Sequence, residues 1–263
     1  MKKLAIILGL YANIGFSITA EEVVKRSNNQ SYYRGKNGRA TVSMFIKDAR
    51  GNKRKRRFTI LRMNDDQEGV DGNQKFYVYF HRPADVKGMS YLVWKNMKSD
   101  DDRWMYLPGL DLVKRIAAGD KRTSFVGSDF YYEDVSGRNI TADEHKLLET
   151  NKTYHVIQST PKDPSSVEFA YYKSWIHTAS FIPIKVEYYT KDDKPYRAYE
   201  AKKVELLQGV PTVIVSTMKD LQKNSETTIK YSKIKYDTEI PESTFTERYL
   251  KKAPLELLKG SAK

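Results

Sequence analysis

The sequence predicts a mainly β protein of the α+β class, built as an antiparallel meander. Apolar and polar residues alternate with a period of two through many short runs, which is typical of half-buried strands. Tight turns rich in Asp, Lys, Gly and Pro separate these runs at intervals too short for crossover helices. About ten strands stand against about three helical segments. Too few helices are therefore present to cover one whole face of the sheet, which favours a cavity.

The strands are predicted in two groups, after a first helix at Glu21–Gln30. In the first group the alternation is clearest from Arg39 to Lys47, and the turn at 48–52 leads into a return strand. The other strands of this group are Arg57–Met63, Phe76–His81, Ser90–Lys95 and Arg103–Leu107. The second group consists of Tyr154–Thr160, Val167–Trp175, Ile182–Thr190, Arg197–Leu207, Thr212–Asp220 and Thr227–Tyr236.

The stretch from Gly109 to Leu148 interrupts this rhythm. It contains a basic part around Arg115 and Arg122, an aromatic part from Phe125 to Tyr132, and a helix-like part at Asp143–Thr150. Long irregular insertions in compact domains are often lids or binding loops. Two interpretations remain open, a lid over one face of the sheet and an ordinary packed crossover.

The first twenty residues have the pattern of a secretory signal. A basic start precedes the short apolar run Leu4–Leu10, and the small residue Ala20 stands before Glu21. The apolar run is shorter than the ~20 residues that span a bilayer. We therefore expect a signal peptide at 1–20, a single domain at 21–263, and export to the periplasm of a Gram-negative bacterium. A buried N-terminal helix is the alternative.

The chain is strongly basic and has no cysteine. Its formal net charge is +13, from 46 Lys+Arg and 33 Asp+Glu. Export makes nucleic acid an unexpected partner, and leaves phospholipid headgroups, lipopolysaccharide and acidic envelope proteins. The simpler interpretation is that the charge only keeps the protein soluble. For the basic run Lys53–Arg57, which follows a predicted turn, a solvated turn and a headgroup contact are likewise the two interpretations.

Motifs for catalysis and metal binding are missing from the sequence. The four histidines form no HExxH or HxH arrangement, and no cysteine can help to bind zinc. The acidic segment at 65–72 lacks the ligand spacing of a calcium loop. A serine-nucleophile elbow around Ser128 would need glycine where Phe130 stands. We therefore predict no metal, no cofactor and no enzymatic activity, with an envelope hydrolase as a remote alternative.

The centre of the chain has a long and ordered series of motifs. It runs VKGMSYLVW at 86–94, DDRWMYLP at 101–108, KRI at 114–116, and SFVGSDF at 124–130 followed by YED at 132–134. The ending IPESTFTERYL at 240–250 completes it. This series resembles the outer-membrane lipoprotein-sorting family, in a LolA-like branch of periplasmic carriers.

The resemblance implies a strongly curved antiparallel sheet that forms an incomplete β-barrel, with covering helices and a hydrophobic cavity. Such proteins carry lipid or lipoprotein acyl chains toward the outer membrane. It also implies an inner-membrane RND-type or lipoprotein-releasing transporter and an outer-membrane acceptor as partners, and we expect a monomer. The chain is longer than the archetypal carrier, and no single residue here can be assigned as that carrier's lid-locking arginine. An accessory subunit that docks on an RND-type transporter without carrying lipid is the alternative.

Alternation predicts which side chains would line such a cavity, provided that the strand register is right. The predicted wall consists of Val42, Met44, Ile46, Phe58, Ile60, Phe76, Val78, Phe80, Trp94, Trp104 and Tyr106. The segment Ser124–Asp134 is the candidate lid or docking loop. The residues predicted to act there are Arg115, Phe125, Gly127, Ser128, Asp129, Phe130 and Tyr132.

Overall fold

A computed structural model describes residues 18–65 and 72–259. Thirteen strands of this part form one antiparallel sheet, which is curved and does not close. The mainly β architecture and the incomplete barrel expected from the sequence are therefore confirmed. Residues 1–17 of the predicted signal and 66–71 of the acidic segment lie outside the described residues.

The strands fall into two groups along the chain. The first six are β1 Asn37–Lys47, β2 Lys53–Asn64, β3 Gln74–Arg82, β4 Ser90–Lys95, β5 Asp102–Leu107 and β6 Leu112–Arg115. The other seven are β7 Asp143–Thr150, β8 Tyr154–Pro161, β9 Tyr171–His177, β10 Pro183–Tyr189, β11 Pro195–Leu207, β12 Val210–Asp220 and β13 Ser225–Tyr236.

The two groups join where β1 pairs with β13. The strand order is β6-β5-β4-β3-β2-β1-β13-β12-β11-β10-β9-β8-β7. Met44 lies opposite Ile229 on one side and opposite Arg56 on the other, which fixes the register in the middle of the sheet. The edge strands β6 and β7 are consecutive in sequence, so the connection 116–142 runs from one edge of the sheet to the other.

The helices are few and short apart from the first. They are α1 Ala20–Tyr32, α2 Tyr132–Ser136, α3 Arg248–Lys251 and α4 Leu255–Lys259. The α1 helix begins with Thr19, whose Oγ1 accepts a hydrogen bond from the backbone N–H of Glu22 at 3.2 Å. This is the usual N-cap arrangement. Val23 of α1 is buried against Ile157 and Ile176 of the second strand group.

The C-terminal segment, residues 238–259, covers the outer face of β2–β5. Phe245 and Leu250 are buried there against Leu61, Leu92 and other apolar side chains of the sheet. The indole N–H of Trp94 donates to the Phe245 carbonyl at 2.8 Å. The outer face around Leu61, Leu92 and Trp104 is therefore closed by the end of the chain, and the inner face remains open to a ligand there.

One element differs from the prediction. Asp143–Thr150 is strand β7 and not a helix. Its residues favour helices, but pairing with β8 satisfies backbone groups that β8 would otherwise leave open at the sheet edge. The His145 ring secures the turn before it, since its Nδ1 and Nε2 each lie 2.8 Å from an oxygen, on Ser159 and Ile140.

Candidate functional site

The inner face of the sheet encloses a cavity of about 360 Å³. Small-molecule sites in proteins range over about 300–1,000 Å³, so this space suits a ligand of modest size. Alternate residues of β1, β2 and β3 form one wall, and β12 and β13 form the facing wall. The apolar side chains of these walls are Val42, Met44, Phe58, Ile60, Phe76, Val78, Val213, Met218 and Ile229.

The structure places the predicted wall residues in three groups. Six of them line the cavity, namely Val42, Met44, Phe58, Ile60, Phe76 and Val78. Ile46 and Phe80 belong to the same buried core but lie beyond the cavity wall.

Trp94, Trp104 and Tyr106 are corrected, because they lie on the opposite face. Val93 and Met105 occupy the inner face, so their neighbours in sequence must point outward. The Trp94 and Trp104 rings pack edge to face at 4.9 Å under the C-terminal segment. The apolar residues of the C-terminal segment could have indicated this, since they need an apolar surface of the sheet to pack against.

The connection 116–142 covers the cavity, and we call it the covering segment. Phe125 and Phe130 reach the inner core, where both are buried. The Phe125 ring centroid lies 6.3 Å from that of Phe58, 5.9 Å from Phe80 and 5.4 Å from Tyr91. The segment thus packs into the core as a crossover does, and its action as a lid stays a prediction.

The predicted lid Ser124–Asp134 folds back on itself. The N–H of Phe125 donates to the Phe130 carbonyl at 2.7 Å, and Ser128 Oγ donates to the Phe125 carbonyl at 2.7 Å. Gly127 has φ +73°, and a Cβ there would lie 3.3 Å from the Arg54 guanidinium. The conformation therefore favours glycine, while the close neighbour is only the end of a flexible side chain.

Asp129 anchors this loop to the far strand group. Its N–H donates to Thr227 Oγ1 at 3.0 Å, and its carboxylate accepts from the hydroxyls of Thr227 and Ser225. The Arg197 guanidinium donates to its carbonyl at 3.0 Å. On the other side Arg54 Nη2 donates to the Gly127 carbonyl at 3.1 Å. The loop is therefore hydrogen-bonded to β2, β11 and β13.

Arg197 is the most buried charge at the site, with 1% of its side chain exposed. It forms an ion pair with Asp134, and its guanidinium carbon lies 3.9 Å from the centroid of the Tyr131 ring. Burial acts to lower the pKa of Arg197, but the charge of Asp134, the nearby Tyr188 and the hydrogen bond to Asp134 together outweigh it, so the pKa lies above its ordinary value. No local pattern points to this pair, because 63 positions separate its members.

A second group of charges joins the covering segment to the second strand group. Arg122 bonds Glu133 at 3.0 Å and Glu168 at 2.7 Å, and Arg138 bonds Asp143 at 2.8 Å. These pairs attach the covering segment to β7 and to the loop before β9. Because each charge has a partner, this region serves to hold the segment in place.

Four tyrosines introduce polar groups into the cavity. Tyr32, Tyr188, Tyr199 and Tyr231 all contribute to its lining. Burial raises the pKa of each hydroxyl, to about 12 for Tyr231, and for Tyr32 the Asp134 charge adds to the effect. The hydroxyls therefore stay neutral near pH 7 and can donate hydrogen bonds to a ligand.

Two predicted lid residues differ in position from the rest. Arg115 lies on edge strand β6, with 70% of its side chain exposed and Asp102 as its partner. It is therefore separate from the loop. Tyr132 begins α2 and packs on Tyr91 and Phe125, at centroid distances of 5.4 and 5.7 Å.

Within residues 18–65 and 72–259, no group of three His, Cys, Asp or Glu residues could hold a metal ion. No helix in that range is long and apolar enough to cross a membrane.

Comparison with known proteins identifies relatives by family and by fold. A family model described as that of an uncharacterized protein matches residues 72–252. A DUF1329 family protein from Desulfovibrio piger has a TM-score of 0.79 at 24% identity, over 87% of this chain and 95% of that chain. No curated protein matches the chain in sequence.

Two further solved structures have the same fold. A domain named as an outer membrane lipoprotein-sorting protein from Vibrio parahaemolyticus has a TM-score of 0.78 at 24% identity, over 88% of this chain and 97% of that chain. A LolA superfamily protein from Nitrosomonas europaea has a TM-score of 0.68 at 19% identity, over 89% of this chain and 100% of that chain. The LolA-like fold implied by the sequence motifs is thereby confirmed.

Proposed function

Because the chain belongs to the uncharacterized-protein family whose model matches residues 72–252 and has a LolA-like fold, we propose that it is a periplasmic carrier. It binds lipid or lipoprotein acyl chains in the cavity of its sheet. A transporter of the inner membrane, of the RND or lipoprotein-releasing type, supplies the cargo, and an acceptor at the outer membrane receives it. The protein itself performs no chemical reaction.

The observation that carries this proposal is the apolar cavity under a covering segment. Burial of each methylene group is worth about 0.8 kcal/mol, so an acyl chain needs apolar walls to cross an aqueous space. The walls supply such a surface, with Val78 and Met218 among the side chains. Neutral tyrosine hydroxyls suit the ester or amide carbonyl groups to which acyl chains are attached.

Cargo enters when the loop Ser124–Asp134 moves away from the sheet. Its hydrogen bonds to Arg54, Thr227 and Arg197 contribute about 0.5–1.5 kcal/mol each, or about 1.5–3 kcal/mol where a charged group takes part, and the buried ion pair of Asp134 with Arg197 at the end of the loop is its strongest contact. An inserted acyl chain replaces the contacts that Phe125 and Phe130 make with the core. The apolar surface of the cargo thus takes the place of the loop's aromatic rings in the core.

Native mass spectrometry of protein purified from periplasm without detergent tests the proposal. We expect a stoichiometric excess of mass that extracts as phospholipid, another lipid or an acylated protein. In the variant Ile60→Trp the added ring fills part of the cavity, and we expect at least a fivefold smaller bound fraction, since lost burial of little more than one methylene group would account for it.

The matched control is Leu206→Trp, which adds the same ring at a position that is 70% exposed. It should retain the cargo of the unaltered protein. A lipid-free mass together with no uptake of added lipid would contradict the carrier proposal. That result would instead favour a subunit that docks on a transporter without carrying lipid.

A further inference from the structure

The outer face of the sheet carries a cationic patch at the β1–β2 hairpin. Phe45 and Lys47 point away from the cavity, because their strand neighbours Met44 and Ile46 are buried in the inner core and successive side chains point to opposite faces. Lys55 lies opposite Phe45, and Lys53 lies opposite Lys47. Lys230 and Arg57 flank Ser43 from either side. We call Phe45, Lys47, Lys53, Lys55, Arg57 and Lys230 the hairpin patch.

Folding alone gives no reason for this concentration of charge. Lys47 faces Lys53 directly, and Arg57 faces Arg82. Like charges that are directly opposed on a sheet destabilise it. Within the described ranges, none of the five cations of the hairpin patch has an ion-pair partner. Glu226 lies opposite Lys47 on β13, but its carboxylate pairs with Lys219 at 3.4 Å.

An exposed aromatic ring lies at the centre of the hairpin patch. Phe45 is 37% exposed, and the ammonium groups of Lys55 and Lys230 lie 5.0 and 5.5 Å from its ring centroid. An apolar ring surrounded by long cationic side chains suits the boundary between lipid headgroups and acyl chains, because the ring can enter while the charges stay at the surface.

We propose that the hairpin patch docks the protein on a bilayer that contains anionic phospholipid. The ammonium groups contact headgroup phosphates, and the Phe45 ring inserts below them. Charge complementarity favours this partner. Each Lys or Arg near an anionic membrane surface contributes about 1 kcal/mol of attraction, so the five clustered cations favour such a surface.

The docking surface lies next to the cover of the cavity. Arg54 belongs to the same basic run, but it points to the other face and donates to the Gly127 carbonyl of the covering loop. Contact between the hairpin and a bilayer therefore occurs one residue away from a hydrogen bond that holds the loop.

Vesicle co-sedimentation at low salt tests the docking surface. We expect the protein to bind vesicles of phosphatidylcholine and phosphatidylglycerol, and to bind pure phosphatidylcholine weakly. Lys47→Gln, Lys53→Gln and Lys55→Gln together should lower the partition coefficient at least about tenfold. Adding Phe45→Ser to this triple variant should lower the partition coefficient further without changing its dependence on salt concentration.

The control neutralises three exposed lysines at other turns, by Lys152→Gln, Lys191→Gln and Lys194→Gln. It has the same net charge and should bind as the unaltered protein does. Equal losses in both triple variants, or no preference for the anionic vesicles, would overturn the proposal. If the hairpin triple variant melts early, the single variant Lys53→Gln decides, with an expected loss of about threefold. Ile60→Trp should keep its vesicle binding, which separates docking from occupation of the cavity.

Discussion

Arg197 connects the sheet to the covering segment by an ion pair and by a cation–π contact. It contacts the face of the Tyr131 ring and pairs with Asp134. It also donates a hydrogen bond to the Asp129 carbonyl. A buried charge without its partner is costly, so removal of one member of such a pair destabilises more than removal of both.

We expect Arg197→Met to lower the free energy of unfolding by about 3–5 kcal/mol. Urea unfolding followed by circular dichroism measures this change. Adding Asp134→Leu should recover part of the loss, because no uncompensated carboxylate then remains. Lys202→Met removes an exposed ion pair with Glu200 and should change the stability by less than about 1 kcal/mol. Equal losses in the two single variants would contradict the role given to burial.

Glu168 makes stability depend on acid pH. Burial acts to raise the pKa of its carboxyl group, but hydrogen bonds from Arg122 and Tyr196 and the charge of Arg122 outweigh it, so the pKa lies below its ordinary value of 4.5. The folded state therefore binds this proton less readily than the unfolded state. The stabilisation is complete above about pH 4.5 and is lost as the pH falls through the lower, folded-state value.

We expect Glu168→Gln to be less stable than the unaltered protein at neutral pH, and the difference to shrink as the pH falls below 4.5. Urea unfolding of both proteins from pH 7 to pH 3 gives the two curves. A difference that stays constant over this range would show that Glu168 does not contribute through its charge.

Single residues also show how far the sequence could lead. Alternation placed Val42, Met44 and Phe58 on the inner face, because a strand leaves only two choices and the apolar set decides between them. It failed for Trp94, where both faces of the strand are buried and either assignment fits the composition. The pair of Arg197 and Asp134 depends on tertiary contacts, which local patterns do not contain.

At the scale of elements, α1 links the start of the described chain to the second strand group. Thr19 caps the helix, and Ala20 is buried beside Val23. Signal cleavage after Ala20, as the sequence predicts, would remove both the cap and this contact. The position of the cut therefore affects the stability of the mature protein.

We expect a chain that begins at Glu21 to unfold with a free energy about 1–2 kcal/mol lower than a chain that begins at Ser17. Urea unfolding of the two purified chains tests this, and Thr19→Ser in the longer chain is the control, since serine caps helices equally well. Equal stability of the two chains would show that the cap does not matter in this protein.

Strands were predicted better than helices, for a physical reason. Period-two alternation over β1 and β13 is a local pattern, and the sheet uses it directly. Asp143–Thr150 has helix-forming residues, yet it is a strand because β8 offers hydrogen-bond partners along one side of its backbone. Where local preference and tertiary pairing disagree, the sequence around one element is insufficient.

Over the whole molecule, the chain begins its sheet in the middle and ends it there. The adjacent strands β1 and β13 stand at opposite ends of the sequence, while both edges come from its central part. The central motifs from 86 to 134 therefore provide one edge strand and the covering segment together. This explains why a single continuous block carries so much of the family resemblance.

The path of the covering segment limits how far the two edge strands of the sheet can separate. A residue spans at most about 3.3–3.6 Å, and much of the segment is folded back through the hydrogen bond from Phe125 to Phe130 and the bridge from Ser124 to Tyr131. We expect that straightening that fold would release slack and let the edges separate while every strand keeps its neighbour. For a carrier, the contour length of the covering segment would then set the largest cargo, and the volume of the empty cavity would be its lower bound.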